Sequence, residues 1–225
     1  MHINFHTTGD ADVDEKERQS AFLSALTTEH FVLQMASGAT VSESAARASI
    51  YMMSLSSSLV ALAFASQSRN AFWPFAASVL PALFVLGLFT VFRLVDVNRE
   101  YMQHLAGMAR IRSFYRALTP DAAQYFGSER GWWPEAPSIP SLQHGSSLAL
   151  LTTTSTMVAF INNVVAGAGI GLLVHWLLGA DGTLLAALLA VGSAAILSAA
   201  FFAYQKWRFS MFGPVAPSRR DAKSD

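Results

Sequence analysis

From Leu148 to Leu178 the chain reads LALLTTTSTMVAFINNVVAGAGIGLLVHWLL, 31 residues without one charged side chain. A helix of that length rises about 46 Å, more than the ~30 Å hydrocarbon core of a bilayer. Two adjacent amides, Asn162 and Asn163, stand near its middle, followed by Gly167, Gly169 and Gly171. Hydrocarbon offers an amide no hydrogen-bond partner, so other protein or trapped water must supply one. The segment is therefore expected inside a helical bundle, with the other apolar segments as its neighbours.

The rest of the composition agrees. Charged residues make up 13% of the 225, against about 25% in an ordinary soluble domain, and long stretches carry none. The formal net charge is zero, which gives no footing for a nucleic-acid partner. There is no cysteine, so disulfides, thiolate metal sites and a cysteine nucleophile are excluded. The first twenty residues hold Asp10, Asp12, Asp14, Glu15 and Glu17 and no apolar core, so no cleavable signal peptide is expected there.

In chain order, Val13–Ser37 reads as an amphipathic helix with Phe22, Leu23, Leu26, His30 and Leu33 on one face and Phe31 nearly opposite. Gly38 is the expected stop. Thr40-Val41-Ser42-Glu43 then has capping-box spacing and opens a helix running into a first span, Ile50–Ser66. Ser54, Ser58, Ala61 and Ala65 recur at three- and four-residue spacing, which suits close helix packing or a hydroxyl-lined path. Gln67–Pro74 is expected to connect to a second span, Phe75–Val95, kinked at Pro81. Tyr101, Leu105, Met108, Ile111, Tyr115 and Leu118 carry that helix onward into water, with a bend possible at Gly107. Arg99 and Arg110 face away from this stripe, whereas Arg112 falls on it.

Thr119-Pro120-Asp121 caps a short helix to Phe126. Gly127–His144 is a loop with Trp132 and Trp133, followed by the third span. Gly179–Gly182 makes a turn, and a fourth span runs from Thr183 to Tyr204.

Four spans leave the N-terminal segment, the middle loop and the tail on one side. That side holds fourteen of the fifteen Lys and Arg residues, against Arg69 alone on the other, and basic flanks stay in the cytoplasm. The expected organisation is a cytoplasmic helical segment (1–48), a transmembrane hairpin (49–95), a cytoplasmic helical extension and loop (96–147), a second hairpin (148–205) and a cytoplasmic tail (206–225).

The candidate site residues are polar groups within the spans and small residues on their faces. Ser54, Ser58, Ser155, Thr156, Asn162 and Asn163 serve either as interhelical hydrogen-bonding groups or as the lining of a solute path. Gly167, Gly171, Ala190, Ala194 and Ser198 are expected to pack helices closely. Arg93, Arg99, Arg110, Arg112 and Arg116 either meet anionic headgroups or pair with the acidic N-terminal segment, whose first 48 residues hold seven acids and three bases. His175, near Asp181 and Trp176, reads as an interfacial histidine.

No Asp, Glu, Lys or Arg lies well inside a span, which lowers the case for a proton relay, an ion-coupled transporter or a voltage sensor. Nucleotide-binding loops and hydrolase or zinc-protease motifs are absent from the sequence. No enzyme activity, catalytic residue, metal site or cofactor is expected.

The stretch FRLVDVNREYMQHLAGMARIRSFYRALTPDAAQYF (Phe92–Phe126), and more loosely Val41–Leu178, resembles an uncharacterised family of bacterial four-span inner-membrane proteins. The resemblance implies a bacterial inner-membrane protein with a substantial cytoplasmic layer and transfers no functional residue.

The expectation is thus an all-α, polytopic membrane protein with four transmembrane helices in two hairpins and cytoplasmic helical extensions. Its partners are the lipid bilayer, further copies of itself in a homo-oligomer and, in one reading, a cytoplasmic protein; nucleic acid is not among them. Functionally it is either a channel-like assembly or a membrane-anchored scaffold or sensor.

Overall fold

A computed structural model describes residues 8–126 and 151–210, and every regular element in them is helical. Helix α1 spans Thr8–Ala65, α2 Arg69–Leu118 and α3 Ala122–Phe126. Helix α4 covers Thr154–Leu178, a 3-10 turn Gly179–Gly182, and α5 Thr183–Ser210. Three stretches are long and apolar enough to cross a membrane: Val13–Ala65, Arg69–Leu118 and Thr154–Ser210. The third contains the turn between α4 and α5. The expected loop 127–144, Trp132 and Trp133, the start of the third apolar segment at 148–150 and the tail beyond 210 lie outside the described residues.

The first two helices are far longer than a bilayer is thick. With 58 and 50 residues they rise about 87 and 75 Å. The uncharged windows on either side of Arg69 are Ala48–Ser68 and Asn70–Phe92, of which α1 and α2 make about 27 and 35 Å of helix, close to one hydrocarbon thickness. Glu43, Arg47, Asp96 and everything further from the 66–68 turn fall outside those windows.

Several expected boundaries are corrected. Gly38 does not stop α1, which runs through it unbroken. The Thr40 hydroxyl, instead of capping a new helix, donates to the Ser37 carbonyl at 2.7 Å, and both side chains are buried. The connection expected over Gln67–Pro74 is only three residues, because α2 starts at Arg69 and takes both Pro74 and Pro81 inside it. Pro74 and Pro81 are the sixth and thirteenth residues of α2, so each forfeits one i→i−4 backbone bond that the surrounding packing must outweigh. Helix α4 begins at Thr154, six residues later than expected: the Thr153 hydroxyl accepts from the Thr156 amide at 3.3 Å and caps it. That leaves 25 residues, about 38 Å. Helix α5 runs on to Ser210. The ends at Leu118 and Phe126 fall where expected.

Packing runs in sequence, α1 on α2, α2 on α4 and α4 on α5. The core lies where the first three meet, around Tyr51, Leu55, Leu83, Val91, Leu94 and Val158. Gly179 carries the reversal at φ 67°, a conformation that costs an L side chain energy. The small residues expected on separate faces meet in one seam between α4 and α5. A Cβ added to Gly167 would overlap the Ala190 carbonyl and approach the Ala194 Cβ to 3.0 Å. One on Gly171 would lie 2.9 Å from the Ala190 Cβ and 3.2 Å from the Ala186 oxygen. Glycine here is what lets the two backbones touch.

Substituting Gly167→Leu is therefore expected to destabilise the fold by about 1–3 kcal/mol, read as a lowered thermal midpoint in mild detergent. Gly192→Leu is the control, since an added Cβ there meets nothing within 4 Å and should leave the midpoint unchanged. Equal midpoints for the two variants would contradict the seam.

Candidate polar seam between the helices

The two amides of α4 point in different directions, and each finds a partner. Asn162 is 2% exposed. Its Oδ1 accepts from the Tyr51 hydroxyl of α1 at 3.2 Å, and its Nδ2 donates to the Phe84 carbonyl of α2 at 3.2 Å. One side chain thus ties three helices. The space for it exists because residue 87 is glycine: a Cβ there would overlap the Asn162 amide and lie 2.8 Å from Tyr51 Cε2. Asn163, also buried, donates from Nδ2 to the Ser198 hydroxyl of α5 at 3.2 Å, and Ser198 donates onward to the Ala194 carbonyl at 2.8 Å.

Because α4 starts at Thr154, the amides stand about 12–14 Å from its first residue, in the half away from the Gly179 turn rather than at the midpoint. Closer still to that first residue lies a second polar cluster. Gln205 is fully buried; its Nε2 donates to Thr153 Oγ1 at 3.1 Å and to Ser155 Oγ at 3.3 Å, while Oε1 accepts from Thr156 Oγ1 at 3.2 Å. Asn98 of α2 donates to Ser155 Oγ at 3.2 Å. Every polar atom of the Gln205 amide is engaged, which is the condition for burying such a group cheaply.

The charges sit at the same end. Arg93 grips Glu43 with two parallel hydrogen bonds, Nε to Oε1 at 2.8 Å and Nη2 to Oε2 at 2.9 Å, and its Nη1 donates to Glu100 at 2.9 Å. Arg47 adds a bond to Glu43 Oε1 at 2.7 Å. Arg93 first, then Arg47, hold the Glu43 carboxyl well below the usual carboxylate range. Glu43 and Arg93 remain about one-third exposed, so solvent screens much of the energy, although forked geometry is the stronger kind of pair. Arg208 of α5 bonds Asp96 of α2, with Arg99 4.0 Å from the same carboxylate.

The arginines expected as one headgroup-binding set therefore divide. Arg93 is committed to Glu43, in the N-terminal segment, and to Glu100, and Arg99 lies 4.0 Å from Asp96, one turn back on its own helix. Arg110 is exposed, and Arg112 and Arg116 are partly buried. Ser54 and Ser58 are partly buried on α1, and Ser54 donates to its own helix at the Ile50 carbonyl. His175 is exposed. Among the described residues no group of His, Asp and Glu is arranged to hold a metal ion.

Sequence reading missed Tyr51, Gly87, Asn98, Thr153 and Gln205. A signal existed for three of them. Tyr51 is the one tyrosine of the Ala48–Ser68 window, Gly87 the one glycine of Asn70–Phe92, and Gln205 the one amide of the last apolar segment. No protein-family model, curated protein or solved structure matches the chain, so the reading of this seam rests on its own geometry.

The seam holds the helices in register. Gly87→Ala should destabilise the protein by about 1–3 kcal/mol despite adding one methyl. Tyr51→Phe should cost less, about 0.6–1.7 kcal/mol, the range for one interhelical hydrogen bond in a membrane protein. In a double-mutant cycle Tyr51→Phe and Asn162→Leu should be non-additive; additivity would contradict the bond.

For Glu43, a folded-state value below the usual 4.5 means its contribution is present above that pH and disappears as pH falls through the depressed value. The difference in thermal midpoint between the native chain and Glu43→Gln should accordingly shrink from about pH 7 to about pH 3. A constant difference would contradict the pairing.

Proposed function

We propose that the chain is a bacterial inner-membrane protein crossing the bilayer four times, both termini cytoplasmic, and holding a two-helix arm in the cytoplasm as a docking scaffold or sensor. The spans in this reading are the outer part of α1, the first half of α2, α4 and α5. Helices α4 and α5, with 25 and 28 residues, each exceed the ~20 residues a crossing needs. The basic residues support the orientation, fourteen to one.

The observation that carries the scaffold reading is the arm. Beyond Glu43 on α1 and Asp96 on α2, the helices continue for about 52 and 33 Å. They pair through contacts such as Leu33 on Gly107, the Thr27 and Tyr115 hydroxyls at 3.2 Å, and the Phe22 and Phe114 rings at 5.4 Å. Leu23, Leu26, His30 and Leu33 turn partly inward, as their spacing requires. On the opposite face Phe31 is 60% exposed and Met35 76% exposed, with Val32 between them. A continuous apolar patch in water favours a protein surface as its complement.

The channel reading has less support. Asn162, Asn163, Ser155 and Thr156 are hydrogen-bonded within a single chain, so they act as interhelical groups, and a water path would need other polar groups. Self-association remains part of the proposal, because α1 presents Ile50, Met53, Val60 and Phe64 outward.

Two measurements test this reading. Reporter fusions inserted at Ser68 and at Asp181 should read periplasmic, and fusions at Asp121 cytoplasmic; a shared compartment for Ser68 and Asp121 would sink the topology. Photo-crosslinkers at Phe31 and Met35 in whole cells should yield one discrete product that Phe31→Glu removes without reducing the amount of inserted protein. Crosslinking only to a tagged second copy would assign the patch to self-association, and no product at either position would remove the scaffold reading.

A further inference from the structure

Opposite the polar seam, at the end where the 66–68 and 179–182 turns lie, α2 and α4 separate around a cavity of about 800 Å³. Its walls are α2 from Trp73 to Phe84 and α4 from Val165 to Trp176, with Leu197 of α5 at its base. Small side chains and prolines make the space: Ala76, Ala77 and Pro81 on α2, Ala166 and Gly169 on α4. A Cβ added to Gly169 meets nothing nearer than Leu80 Cδ1 at 3.9 Å. The lining side chains are all hydrocarbon or aromatic apart from the two indole N–H groups, so water has no hydrogen-bonding reason to occupy it.

The dimensions select an occupant. Both walls run twelve residues, about 17 Å of helix, which is one leaflet of a ~30 Å hydrocarbon core. The volume falls within the ~300–1,000 Å³ of small-molecule sites. The mouth has the sign of charge that matches a lipid. Trp73 and Trp176 stand there with ring centroids 6.3 Å apart, and Arg69 lies one turn before Trp73 on the same face of α2. Arg69 is also the first residue of α2, whose cap Ser68 makes no side-chain hydrogen bond and whose first turn has no acid. The positive end of the helix dipole is thus uncompensated at that point. Asp181 belongs to the separate turn after α4.

We propose that this groove holds one acyl chain of an anionic phospholipid from the leaflet at the turn end, with Arg69 and the start of α2 against its headgroup. This rests on the membrane reading above, but not on the arm or on the number of spans.

The full chain, reconstituted in phosphatidylcholine vesicles, is exposed to phosphatidylglycerol carrying a diazirine midway along one chain, then photolysed and mapped by mass spectrometry. Labelling should concentrate severalfold at Leu80–Phe84 and 165–173 over the outward residues Leu188 and Val191 of α5. Gly169→Phe, which fills the void from a position with room for it, should reduce that labelling severalfold while the thermal midpoint holds. Arg69→Gln should abolish the preference for phosphatidylglycerol over the matching phosphatidylcholine probe.

Even labelling along α2, α4 and α5 in inserted protein would overturn the site while leaving the membrane reading intact. Equal capture of both headgroups by the native chain would overturn the anionic selectivity. Disulfide-linked dimers formed quantitatively by Gly169→Cys, in a chain with no other cysteine, would assign the groove to a second copy. Protein that fails to insert at all would instead count against the membrane reading.

Discussion

A buried amide with no access to water must be bonded from both ends, and Asn162 imposes that condition on three helices at once. Its oxygen takes the Tyr51 hydroxyl and its nitrogen reaches the Phe84 carbonyl. Gly87 leaves the gap that admits it. Sliding α1 or α2 by one turn would move its partner group by about 5.4 Å and break the bond that helix makes to Asn162. The register so fixed also sets Glu43 beside Arg93, Asn98 beside Ser155 and Asp96 beside Arg208. None of the surface ion pairs has comparable authority, since exposed pairs contribute little when isolated.

The consequence is a molecule with unlike ends. Toward the arm, polar and charged groups from four helices interlock, and a two-helix projection continues outward from that fastened base. Toward the turns, contacts are apolar, and a cavity lined by small and aromatic side chains of α2 and α4, Pro81 and Gly169 among them, opens. Non-directional apolar contacts permit such a gap, whereas hydrogen bonds specify distance and angle.

Much of this was legible from the residues. The uncharged windows gave an all-helical chain with long apolar helices, and the 4-3-3-4-3 rhythm after Arg93 gave a helix that continues to Leu118. The stripes of Gly167 and Gly171 and of Ala190 and Ala194 were visible separately, and only their mutual fit needed three dimensions. The errors share a cause. Gly38, the Thr40 capping box and Pro74 are local stop or start signals, each worth about 1–3 kcal/mol, and tertiary packing along a helix of 58 residues outweighs them. The partners of Asn162 escaped because periodicity shows which face a residue occupies, but not which residue 78 or 111 positions away stands opposite. The sequence left the hydroxyls of the third apolar segment as either interhelical groups or a lining, and Gln205 and Asn163 bond Ser155, Thr156 and Ser198 inside the bundle.

The most direct test of the account is the depth of α1. With no native cysteine, single cysteines can be placed at each position from Ser24 to Ser66 in reconstituted protein and spin-labelled, and their accessibility to oxygen compared with that to a water-soluble nickel complex. The account predicts oxygen-dominated accessibility from Ala48 to Ala65 and water-dominated accessibility from Ser24 to Arg47, with the change near Arg47. An oxygen-dominated profile extending through Ser24–Glu43, or none at all between Ala48 and Ala65, would contradict it.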